Sequence, residues 1–159
     1  MKNKDWFNNL KIEIINTSLL LSSIQSRATF VLKTHNWILE DINLCESISH
    51  LVDMLNISSR DLNHFIKDIN LLEDSGDFFS SNDLVDEFEY IKENVNLEAS
   101  YLTNIVDYIT IIINPGINET LITEKLEKYH DIDLSCYNQM KINNKQLKQL
   151  RKERRNEFE

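Results

Sequence analysis

Two glycines, Gly76 and Gly116, and one proline, Pro115, are all that 159 residues offer for building tight turns. A β-rich chain reverses direction often, and its turns call for the positive φ of glycine or the preset φ of proline. Helix is the consistent reading, and the expected class is all-α: a single-domain helical bundle of about five to seven helices with a long N-terminal helix. A chain of this length buries roughly 68–70% of its unfolded surface, enough for a core without metal or disulfide staples. Neither repeats nor a low-complexity linker interrupt the sequence, so residues 1–159 are expected to form one domain.

The spacing of apolar residues supplies the elements. Phe7, Leu10, Ile14, Thr17, Leu21, Ile24, Ala28 and Val31 alternate steps of three and four, a heptad seam with one polar member. Such a helix needs partner helices along its length, from its own chain or from a second copy, so a homodimer through the N-terminal helix is an open expectation. Lys33 to Asn36 reads as a turn before a second helix with Ile38, Ile42, Cys45, Ile48, Val52 and Leu55 on one stripe. A single helix running on to Asn56 and a β-hairpin over Thr29 to Glu40 are the alternatives there.

Ser58 or Ser59 is the candidate cap of a third helix carrying Leu62, Phe65, Ile66, Ile69 and Leu72, ending near Gly76. Ser81 or Asn82 caps a fourth with Leu84, Val85, Phe88, Ile91 and Val95 on one side. Leu97 to Ile113 is apolar around most of its circumference and is expected as the central helix, stopped by Asn114-Pro115-Gly116. A helix to about His130 and a basic C-terminal helix over about residues 134–158 complete the series.

Charge is unevenly distributed. Residues 1–140 carry 10 Lys and Arg against 23 Asp and Glu, a net of −13, whereas residues 141–159 carry 7 against 3, a net of +4. Helical spacing places Lys141, Lys145, Lys148 and Lys152 on one face, broadened by Arg151, Arg154 and Arg155. Such a face suits phosphate backbones or an acidic protein surface. The simpler reading is that the cations oppose the negative end of the last helix, or that the tail folds back and neutralises the acidic body. With only Phe158 as an aromatic residue in the tail, base stacking is not suggested.

No chemistry-bearing motif stands out. His35, His50, His64 and His130 are scattered, and no Ser or Cys sits in a glycine-flanked elbow. Glu127 and His130 match Glu-x-x-His, but a carboxylate-bridged metal pair requires two such motifs and further glutamates. Two glycines cannot form a phosphate-binding loop, and Asp68 to Glu73 lacks the glycine of a calcium loop. Cys45 and Cys136 read as small buried side chains. No catalytic, cofactor or metal site is therefore assigned.

Arg60-Asp61-Leu62-Asn63-His64 resembles the Arg-x(4–6)-His motif of the HEPN ribonucleases, with one residue fewer between the pair. The resemblance covers five residues. It implies a small all-α fold and RNA cleavage at a dimer interface, with Arg60 and His64 as the acting pair.

The expected role is that of a non-enzymatic protein-binding helical protein: an inhibitor, an immunity or antitoxin-like factor, or a small subunit of a larger assembly. A strongly negative body attracts a basic protein surface and speeds the encounter. Asp83, Asp86, Glu87, Glu89 and Glu93 form one candidate acidic strip, and Lys145, Lys148, Arg151, Lys152, Arg154 and Arg155 form the basic one. Binding of nucleic acid through the last helix and HEPN-like cleavage are the alternatives. The N-terminus shows no signal-like apolar run, no segment is long and apolar enough for a bilayer, and a cytoplasmic protein is expected. Asparagine and isoleucine supply 39 residues, and lysine outnumbers arginine 12 to 5, a bias of AT-rich coding that suits a bacterial, phage or mobile-element origin.

Overall fold

A computed structural model describes residues 2–34, 42–75, 81–113 and 135–153, and every one of these residues is helical. They form α1 (Lys2–Thr34), α2 (Ile42–Ser75), α3 (Ser81–Ile113) and α4 (residues 135–153). The first three contain 33, 34 and 33 residues, so each is a rod about 50 Å long at 1.5 Å per residue.

The expected five to seven helices become four among the described residues because two anticipated breaks are absent. Ser58 lies inside α2, its hydroxyl engaged by a side chain of α3 instead of capping a helix. The stretch from Asn94 to Leu97 runs through α3 without interruption. A mid-helix serine or asparagine costs only a few tenths of a kcal/mol, which tertiary packing offsets. The expected helix running to about His130 lies outside the described residues, as do His35 and Asn36 of the expected turn, whereas Lys33 and Thr34 belong to α1.

The hairpin alternative fails over residues 29–34, which belong to α1. Thr29 and Thr34 bond back to the Gln25 and Phe30 carbonyls at 2.9 and 2.7 Å, which accommodates their hydroxyls within a helix.

Contacts between helices set the directions. Lys11 near the start of α1 pairs with Glu73 near the end of α2, so these two run antiparallel, while Glu13 meets Lys92 and α1 runs parallel to α3. Phe65 stacks on Phe88 with ring centroids 5.6 Å apart between antiparallel α2 and α3. Asn144 reaches Met54 and Arg151 reaches Asp61, placing α4 parallel to α2 and against both α2 and α3. The described helices thus form an up-down-up-down bundle.

The heptad seam of α1 is its buried face: Phe7, Leu10, Ile14, Thr17, Leu21, Ile24 and Ala28 are buried and Val31 is half-buried. Its partners are α2 and α3 of the same chain. The expected stripes of α2 and α3 are buried at Ile48, Leu55, Leu84, Phe88, Ile91 and Val95, and one member of each departs from its stripe. Val52 is 37% exposed and the buried side of α2 runs instead through Leu44, Ser47, Ile48, Leu51 and Leu55; Val85 is 39% exposed beside buried Leu84 and Phe88. The segment expected at the centre does supply Tyr101, Leu102, Ile105 and Ile109 to the core. Cys136 is buried and Cys45 half-buried.

Candidate functional surfaces

The interior is unusually polar where α2, α3 and α4 meet. Glu87, Glu98, Asn94, Asn143 and Ser58 are all buried. Each follows the apolar spacing: Glu87 lies between Leu84 and Ile91, and Glu98 between Val95 and Leu102.

Arg151 organises one end of this interior. Its Nη1 donates to Asp61 Oδ1 at 2.8 Å and its Nε to Glu87 Oε1 at 3.2 Å, with a longer bond from Nη2 to the Asp61 carbonyl. Burial alone would depress the guanidinium, but the hydrogen bond and charge of Asp61, with those of Glu87, more than offset it and push its pKa upward. Arg151 is therefore a fixed cation holding α4 to both neighbours.

An amide chain occupies the middle. Gln139 donates to Asn143, Asn143 to Asn94 and Asn94 to Asn144, at 3.1, 2.9 and 3.0 Å, and Asn144 ends on the Met54 sulfur. Beyond it, the Ser58 hydroxyl donates to Glu98 Oε1 at 2.6 Å, while Glu98 Oε2 has no hydrogen-bond partner among the described residues. Burial, opposed by the Ser58 bond and reinforced by the negative charge of Asp61, raises the Glu98 carboxyl from 4.5 to about 8.

These groups hold one another. A raised carboxylate beside a serine is the chemistry of an active site only where substrate can reach it, and Ser58 and Glu98 are both closed off. The groove between α1 and α3, lined by Glu13, Asn16, Thr17, Leu20, Lys92 and Asn96, is open and includes neither. Among the described residues no cluster of His, Cys, Asp and Glu is arranged to hold a metal ion.

The candidate strips divide between interior and surface. Glu87 and Arg151 are brought together inside, as described. Asp86, Glu89 and Glu93 lie exposed on one face of α3, and none forms an ion pair with a described residue. Asp83 lies on α3 one turn earlier.

On α4, Lys145, Lys148 and Lys152 are exposed and likewise without an ion pair to a described residue. Lys141 joins that face with its ammonium 4.3 Å from the centre of the Tyr137 ring, which itself stacks on His50. Arg154, Arg155, His35, Glu127 and His130 fall outside the described residues.

Arg60 and His64 are both exposed on α2, one turn apart, and neither bonds to a described residue. The inward role of Arg151 had a signal in the sequence. It lies four residues after Leu147 and eleven after Met140, on the buried side of α4 and away from the lysines.

No protein-family model, curated protein or solved structure matches this chain. No described helix is long and apolar enough to cross a membrane.

Proposed function

We propose that this is a non-enzymatic cytoplasmic protein that acts by binding another protein through the exposed acidic strip of α3, as an inhibitor, an immunity or antitoxin-like factor, or a small subunit of an assembly. The observation that carries the reading is the alignment of Asp86, Glu89 and Glu93 on one outward face, with Val85 exposed beside them. Unpaired carboxylates at helical spacing create a negative field that steers a basic surface into register. The apolar neighbour supplies contact area once water is displaced.

The test is capture from the native host at low and high salt, comparing the parent chain with a variant bearing Asp86→Lys, Glu89→Lys and Glu93→Lys. The expected result is a stoichiometric partner with a basic surface, retained by the parent at low salt and lost by the variant. A partner that binds both chains equally, or none at all, rejects the assignment.

A second reading rests on the outward row of Lys141, Lys145, Lys148 and Lys152. Four cations at this spacing match a phosphate backbone, and each contact contributes about 0.9 to the slope of log affinity against log salt for duplex DNA. Replacing Lys145, Lys148 and Lys152 by alanine would flatten that slope by about 3 units. Absence of binding to DNA or RNA at low salt ends this reading.

A further inference from the structure

The side of α1 opposite its buried seam carries a second row at helical spacing: Ile12, Ile15, Leu19, Ser23, Ser26 and Phe30. All six are exposed, and the four large ones are 56, 59, 64 and 67% accessible. Single exposed apolar side chains are ordinary. A row extending from Ile12 to Phe30, about 27 Å at 1.5 Å per residue, is not.

Charge is kept out of this row. Lys11 and Glu13 turn aside to Glu73 and Lys92, and Arg27 flanks it. The first charges in line with it are Asp5 at one end and Lys33 at the other, both exposed.

We propose that this face binds a second copy of the same chain, with the two α1 helices antiparallel and centred on Leu19. The argument is self-complementarity. When one copy is turned end for end about Leu19, Ile12 comes level with Ser26 of the second copy and Ile15 with Ser23, so bulky side chains sit where the opposing helix is slim. Asp5 comes level with Lys33 at both ends.

A parallel pair does the reverse, placing Asp5 beside Asp5 and Lys33 beside Lys33, with the helix dipoles aligned unfavourably. The antiparallel pair is a closed two-fold contact, in which residue i meets j and j meets i. It leaves the acidic strip of α3 and the lysines of α4 unused, so it stands independently of the proposed function.

Sedimentation equilibrium and cysteine trapping on the full chain test the proposal. Mild oxidation of a Leu19→Cys variant should link two copies. Ile12→Cys alone should not, because its two copies lie about 21 Å apart along the axis, whereas Ile12→Cys combined with Ser26→Cys should. The parent chain, with Cys45 and Cys136, sets the background.

Leu19→Arg puts two cations on the symmetry axis and should weaken association by about 100-fold. Position 19 is exposed, so the helix tolerates the change, and circular dichroism verifies it. Asp5→Lys should weaken the dimer and Asp5→Lys with Lys33→Asp should restore it. A monomer at every attainable concentration overturns the proposal, as does Ile12→Cys linking as readily as Leu19→Cys, or a dimer indifferent to Leu19→Arg.

Discussion

The Ser58 hydroxyl donates to Glu98 Oε1 at 2.6 Å across the α2–α3 interface, joining two buried residues forty positions apart. Glu98 titrates near 8 in the fold against 4.5 when exposed. The folded state therefore holds a proton that the unfolded state releases across that interval, so stability falls as pH rises from 4.5 to about 8.

Glu98→Gln retains an oxygen for Ser58 and removes the titration. It should leave stability unchanged below pH 4.5 and increase it by a few kcal/mol at pH 8, at about 1.4 kcal/mol per unit. Denaturant unfolding of both proteins across this range checks the prediction; a difference that does not grow with pH contradicts it.

Arg151→Ala removes the guanidinium that bridges Glu87 and Asp61, of which Glu87 is buried. Removing one partner of a fully buried pair costs about 3–5 kcal/mol, and the partial exposure of this arginine reduces the expectation to about 2 kcal/mol. Glu87→Gln in the same chain should recover part of the loss, which a double-mutant cycle would measure.

Asn94→Ala breaks the amide chain at its central member and leaves groups of Asn143 and Asn144 unmatched in the interior. The expected cost is about 1–3 kcal/mol. Hydrogen exchange should show α4 losing protection before the Phe65–Phe88 region of α2 and α3.

Lys145→Ala, Lys148→Ala and Lys152→Ala together should change stability by about 0.5 kcal/mol or less at each site. The contrast with Arg151→Ala separates surface cations from the structural one, and thermal unfolding of both variants decides it.

The rods and their main buried faces were legible because burial follows a three-to-four step that any helix must obey. The α1 seam is the clearest case, since even its polar member Thr17 is buried. The ends of α2 at Ser75 and of α3 at Ser81 and Ile113 were legible too, whereas the breaks expected inside α2 and α3 do not exist. Ser58 has the chemistry of a cap, and only an acceptor forty residues away shows why the helix continues through it. Val52 and Val85 satisfy the three-to-four spacing, yet adjacent Leu51 and Leu84 occupy the core at the same turn, so spacing alone does not separate such neighbours. In the acidic strip, residue type suggested a uniform surface, yet Glu87 follows the core spacing of Leu84 and Ile91 and points inward while Asp86 and Glu89 stay outside.

An amide has a giving end and a receiving end, so the run from Gln139 to Met54 can be satisfied only when α4 sits at one height and one rotation against α3. Oily contacts such as Met140 and Leu147 tolerate sliding, whereas this run does not. The fourth rod is thus keyed into its slot like a notched part, and the orientation of its outer lysines is inherited from asparagines of which two, Asn94 and Asn143, are buried. A descendant that exchanged those amides for leucines would gain grip and lose its bearing.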